Sequence, residues 1–270
     1  MNRNRTAAGM ILAGTLLLLS IGLGACFAPW LSSADPQEIQ LKEALLPPSS
    51  NHLLGTDQLG RDLFSRMLYG ARVSLTVGFI AIGLATVMGV TVGAASGYAG
   101  GWVDAFLMRI VDVFLCFPTL FLILAAVAFL EPGLAPIIAI IGATGWMGVA
   151  RLVRAEVLSL KEREFIEAAK VIGASHTRIL TKHLIPNAMA PVLVSATLGV
   201  GSAILIESAL SFLGIGIQPP MASWGNILAE GKATLGIAWW LTVIPGLAIF
   251  WVVLGCNLLG EGLRQKWNPR

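Results

Sequence analysis

Six long blocks of this chain carry no Asp, Glu, Lys or Arg: residues 6–34, 73–103, 113–130, 132–150, 183–206 and 233–260. About 20 apolar residues in a helix cross roughly 30 Å of hydrocarbon, and a helix is the open-ended structure that satisfies all its backbone polar groups internally. Six such blocks would overfill the core of any soluble fold of 270 residues, and the mean hydropathy of +0.79 agrees. The expectation is an all-α membrane protein with six transmembrane helices, near 9–30, 73–97, 104–130, 135–152, 188–212 and 238–260. The uncharged stretch 208–229 is set apart, because its paired prolines, glycines and polar groups describe a folded loop.

The basic start and apolar run of "MNRNRTAAGMILAGTLLLLSIGLGAC" have the form of a signal sequence, and "LGAC" that of a lipoprotein cleavage site. The apolar run continues through "FAPWL", so a retained first span is expected. With the amino terminus inside, 13 of the 18 Lys and Arg residues fall on the cytoplasmic side, which places both termini there. Trp30, Trp239 and Trp240 at outer ends, with Trp102 and Trp267 at inner ends, fit aromatic belts. Cys26, Cys116 and Cys256 lie in apolar blocks with no metal-ligand spacing, and packing is their expected role.

Two segments outside the bilayer are long. In the external one, 31–72, "DQLGRDLFSRMLYGAR" spaces Leu59, Leu63 and Met67 four apart, with Asp62 and Arg66 placed to pair at i, i+4. This describes either an amphipathic helix on the membrane surface or an external cap over a pathway, with Asp57, Arg61, Asp62 and Arg66 as its charged residues. The cytoplasmic segment, 153–187, reads as a helix-turn-helix. Ser159 and Glu162 have capping-box spacing, which would start a helix near Leu160. Phe165, Ala168, Ala169 and Ile172 form an apolar stripe, Gly173 permits a turn, and Pro186 closes a second short helix. The expected division is residues 1–72, a first span with external segment, and 73–270, a five-helix core with the cytoplasmic loop.

A loop with two apolar stripes would be costly in water, so it points to a protein partner. Its sequence, "EAAKVIGASHTRILTKHLIP", resembles the cytoplasmic loop of ATP-binding-cassette importer permeases, with Glu167, Ala168, Ala169, Gly173 and Pro186 at the matching positions. His183 and Ile185 depart from the commonest form and are similar to the peptide and nickel branch. "HLLGTDQLGRDLFSRMLYGARVSL", "MRIVDVFLCFPTL" and "LSFLGIGIQPPMASWGNIL" resemble the second permease subunit of dipeptide, oligopeptide and nickel importers. The resemblance implies a type I importer-like permease of the bacterial inner membrane. It also implies coupling through Glu167, Ala168, Ala169, Gly173, His183 and Pro186 to two cytoplasmic ATPase subunits, a second homologous permease and an external substrate-binding protein. ATP would be used by those ATPases: the chain has no Gly-x-x-x-x-Gly-Lys-Ser/Thr loop, and no cofactor is expected on it. Peptides lead as substrate, with nickel or a chelated metal as the alternative.

Ionisable groups at membrane depth are functional candidates. Arg109 and Asp112, three apart, are expected to form a structural pair near the inner interface or to act in gating. Glu207, toward the outer leaflet, would line the pathway or hold a buried hydrogen bond. Pro118 and Pro245 are expected to kink their spans, and the glycines of "GVTVGAASGYAGG" to allow close helix packing. No metal cage, nucleic-acid signature or catalytic set is expected; a stand-alone secondary transporter is the competing class, and it would require repeats or several buried charges.

Overall fold

The computed structural model describes residues 2–32, 34–131 and 133–267. Among them the chain is helical, and its one β-bridge pairs Thr56 with Asp62. Five helices are long and apolar enough to cross a membrane, and a bent pair makes a sixth crossing if counted as one span. α1 (Asn2–Cys26) lies along the last helix, α11 (Trp240–Trp267), so the first span belongs to the same bundle as the rest. A short turn, α2 (Ala28–Leu31), leads from it into the extended segment before α3 (Leu63–Ala99).

α3 has 37 residues, so it is about 55 Å long at 1.5 Å per residue and overshoots the bilayer. It starts ten residues before the expected second span, because Asp62 caps it by accepting from Ser65 N at 2.8 Å. The amphipathic surface helix is therefore corrected: Leu63 and Met67 belong to the first turns of a spanning helix, and Leu59 lies outside it and 37% exposed. The division expected at 72/73 falls inside α3. Glycines set how closely α3 approaches α6 (Leu134–Lys161): a Cβ on Gly89 would stand 2.5 Å from that of Val149, and one on Gly93 would meet the Ala150 carbonyl. The glycines of "GVTVGAASGYAGG" thus do bring two helices together, within this chain.

α4 (Gly101–Leu115) and α5 (Thr119–Val127) meet at 82°, with Cys116–Pro118 as the break. Pro118 has no N–H for the helical ladder and disfavours helical dihedrals at Phe117, so the expected kink is a full corner. Pro245 sits inside α11, which continues to Trp267.

At the end of the bundle where α6 stops, Ser159 and Glu162 do not start a helix. Ser159 lies within α6 and Glu162 is its C-cap; the next helix, α7 (Glu164–Val171), has Arg163 at its N-cap. Val153 and Val157, four apart and buried against the bundle, keep this stretch in register with α6, so its ladder outran the capping signal. Nor does Pro186 end a helix. α8 (His176–Arg178), a π-helical segment (Ile179–Leu184) and α9 (Ile185–Phe212) form one rod of 37 residues. Pro186 cannot donate to the ladder, and the wider π turn, with Ile185 N bonded to Leu180 O, carries the chain past it. At the opposite end, the stretch expected to be all loop contains α10 (Trp224–Lys232), begun by a capping box of Ser223 and Asn226.

Candidate functional site

Two clusters of polar residues occupy opposite ends of the bundle, and a third group lies between them. The first is the hairpin of α7 and α8. Ile166 and Ala169 face inward and join Ile179, Leu184, Val149, Val153 and Val157 in one apolar cluster. This corrects the expected stripe: Phe165 is 43% exposed and Ile172 84%, while Val171, outside it, is 87% exposed. The helix therefore has two apolar faces, one seated on the bundle and one bare. Glu167, Ala168, Gly173 and Pro186 are exposed, Ala169 is buried and His183 half-buried. Gly173 takes φ +81°, where an L side chain is strained by roughly 1–2 kcal/mol, and Ala174 N closes the turn onto Ala169 O at 3.0 Å. Ser175 Oγ then accepts from Arg178 N to begin α8.

Tyr98, at the end of α3, ties this hairpin to the spans. Its hydroxyl and His176 Nδ1 are 2.6 Å apart, and its carbonyl accepts from Lys161 Nζ at 2.9 Å. Nearby, Arg154 of α6 donates two bonds of 2.5 and 2.6 Å to Asp104 of α4. Tyr98, His176 and the Asp104–Arg154 pair carry no local sequence signal, since each joins elements distant along the chain.

The second cluster gathers the expected cap residues. Asp57 is fully buried; it accepts from Leu59 N and Arg61 N at 2.8 and 3.0 Å, from Arg61 Nε at 2.6 Å, and from Arg66. Arg66 is 1% exposed and reaches across to Glu230 of α10 with two bonds, that from Nη2 being 2.9 Å. Arg61 Nη2 lies 3.1 and 3.2 Å from the same carboxylate. Two guanidinium forks and two carboxylates thus balance in a nearly dry site. The expected Asp62–Arg66 pair is not formed: Asp62 caps α3 and meets His52 Nδ1 at 3.1 Å, with Glu43 at 3.2 Å from His52 Nε2. Trp240 is 4% exposed and donates to Thr56 O at 3.0 Å, so it is a strut of this end and not a belt residue; Trp30, Trp102, Trp239 and Trp267 are exposed. Glu230 had a readable signal, since the capping box at 223–226 starts a helix that carries it one turn later.

Between the ends, Glu207 of α9 is fully buried and accepts hydrogen bonds from Ser211, Ser223 and Ser74 at 2.8, 2.9 and 3.4 Å. Of its two expected roles the buried hydrogen-bonded one matches this geometry. Arg109 and Asp112 do not pair with each other. Asp112 is bonded by Arg151 Nη2 at 2.5 Å, and Arg109 is exposed on α4 without a carboxylate partner among the described residues. No group of three or more His, Cys, Asp or Glu that could hold a metal occurs among the described residues.

A family profile described as "Binding-protein-dependent transport system inner membrane component" matches residues 89–270. The chain is similar to the dipeptide transport system permease protein DppC of Alkalihalophilus pseudofirmus, 43% identical over 261 residues that are 97% of this chain and 86% of that protein. DppC of Bacillus subtilis is 42% identical over 97% of this chain and 82% of that protein. The oligopeptide transport system permease protein OppC of Bacillus subtilis is 40% identical over 97% and 86%. Among solved structures, a chain of the MetNI methionine ABC transporter in an inward facing conformation superposes with a TM-score of 0.54 at 19% identity, covering 72% of this chain and 94% of that one. A chain of an amino acid ABC transporter gives a TM-score of 0.54 at 15% identity, covering 72% and 90%. These two likenesses concern the fold.

Proposed function

The chain belongs to the family of binding-protein-dependent transport system inner membrane components, and on that premise we propose that it is a permease subunit of an ATP-driven importer of di- and oligopeptides. Relatives at 40–43% identity named as dipeptide and oligopeptide permeases support the substrate class, and nothing in the comparisons favours nickel. The chain is a transport component that spans the membrane several times. ATP is hydrolysed by two separate cytoplasmic ATPase subunits, a second permease supplies the other half of the pathway, and an external binding protein delivers the peptide. The excess of Lys and Arg at the hairpin end supports cytoplasmic termini and an external position for Asp57, Arg61, Asp62, Arg66 and Glu230.

The bare outer face of α7 carries the coupling assignment. Phe165, Val171 and Ile172 stand in the open on a helix whose other face is fixed by Ile166 and Ala169. An apolar face at the end of a membrane bundle, flanked by Glu167 and Lys170, suits a groove on an ATPase subunit, with the charges orienting the encounter. Because Tyr98 binds the hairpin to α3, and Lys161 at the end of α6 in turn holds Tyr98, a docked hairpin moves those spans when the ATPases close.

Phe165→Asp and Glu167→Lys alter exposed side chains, so membrane insertion and thermal stability are expected to stay within about 0.5 kcal/mol of wild type. Substrate-stimulated ATP hydrolysis by the reconstituted complex is expected to fall at least about tenfold, the effect of roughly 1.4 kcal/mol at an interface. Undiminished stimulation in both variants removes the docking assignment.

A further inference from the structure

The bent pair α4–α5 presents a face that the bundle does not cover. On one side of α4, Val111 is fully buried against Met147 and Ala150 of α6. On the other, Trp102, Phe106, Val113 and Phe114 are exposed. Charges sit among these apolar residues. Arg109 is exposed, and the Asp112–Arg151 pair has side chains 49% and 52% exposed.

Their depth constrains what they face. Asp112 lies about 12 Å along α4 from Asp104, well inside the expected span 104–130, and Arg151, at the inner boundary of the span 135–152, reaches in to meet it. A carboxylate on one methylene cannot reach back to the interface as a long lysine or arginine stem does. Charges turned toward hydrocarbon cost about 2.5–3.5 kcal/mol each at the centre of a helix, and such groups instead face water-filled cavities or protein. The group is also unbalanced, with two guanidinium ions and one carboxylate.

We propose that this face of α4 and α6 lines the aqueous route, and that Arg109 is the counter-charge for the carboxylate at the C-terminus of a passing peptide. The inference rests on the reading of the chain as a peptide importer subunit. The terminal carboxylate is the anion that every unmodified peptide carries whatever its sequence, and a planar guanidinium fork matches it. Exposure keeps the contact weak, as a transit site requires. Phe106 and Val113, three and four residues from it on the same exposed face, offer apolar surface to varied side chains without selecting among them.

The test uses Cys116, an exposed thiol at the corner one turn beyond Asp112, in the assembled complex with Cys26 replaced by Ala. Membrane-impermeant thiosulfonates of opposite charge are applied to the nucleotide-free complex in proteoliposomes. The anionic reagent is expected to react about fivefold faster than the cationic one, and Arg109→Gln to remove most of that preference, while Arg109→Lys keeps it. Trialanine is expected to slow the anionic reagent, and trialanine amide to leave its rate unchanged.

An unreactive Cys116 means that lipid or a neighbouring subunit covers this face and overturns the lining. A preference that survives Arg109→Gln overturns the role of Arg109, and equal protection by acid and amide overturns the carboxylate contact. Uptake of trialanine by the wild-type complex with its binding protein tests the importer reading separately.

Discussion

The two ends of the molecule treat charge in opposite ways. At the end closed by α10, Asp57, Arg66 and Arg61 are almost out of reach of solvent and satisfy one another and Glu230. At the hairpin end the charges of α7 are exposed, and it is the apolar Phe165, Val171 and Ile172 that stand in the open. Buried, paired charge fixes one geometry, because any displacement strands a charge in a poor solvent. Bare apolar surface marks a place where the chain is incomplete alone. The first end is built to hold three stretches of chain, 55–62, α3 and α10, as one piece; the second leaves an apolar face bare, as the proposed docking requires.

The largest effect should come from breaking the buried square. Arg66→Ala leaves Arg61 alone to balance both Asp57 and Glu230, and one uncompensated, largely buried charge costs about 3–5 kcal/mol. Arg151→Ala removes a similar guanidinium from Asp112, but that pair is half exposed and should cost no more than about 1 kcal/mol. Thermal unfolding of the solubilised complex compares the two. Equal shifts in Tm would erase the distinction between buried and open charge.

Glu207 comes next. Glu207→Ala deprives three serine hydroxyls of their acceptor and opens a void between α3, α9 and the start of α10, for about 2–3 kcal/mol. Glu207→Gln keeps the volume and one acceptor oxygen, so it should lose less than half as much. If Glu207→Gln instead abolishes uptake at unchanged Tm, the carboxylate works in the pathway and the structural reading fails.

Most of the span pattern was legible because hydrocarbon imposes one rule on every residue of a span, and a charge-free block obeys it visibly. The corner at Pro118 was legible in kind, since the ring acts on its own neighbours. What stayed hidden was pairing across the chain. Asp62 has the right spacing for Arg66, but Asp62 is drawn to the N-terminus of α3, where it caps, and Arg66 to Glu230, 164 residues away. Arg109 and Asp112 share a helix face by spacing, yet Asp112 meets Arg151 on α6. Local spacing shows which pairs are possible, while packing of distant elements decides which form. For the same reason the apolar stripe on α7 came out wrong: Ile166 wins the inward position because Ile179 and Leu184 are there to meet it.

The smallest effect sharpens the comparison at the hairpin end. Tyr98→Phe removes only the hydroxyl that meets His176. The ring stays under Lys161, whose Nζ is 5.7 Å from its centroid, and the bond from Lys161 to the backbone carbonyl is untouched. A single partly solvated hydrogen bond is worth about 0.5–1.5 kcal/mol, so Tm should move by only a degree or two in a chain of this length. Amide exchange across α7 and α8 should nonetheless quicken by about twofold to tenfold, because the hairpin would open locally without the rest of the bundle. Exchange that stays at the wild-type rate would mean that Ile166 and Ala169 alone hold the hairpin down, and that Tyr98 takes no part in joining it to α3.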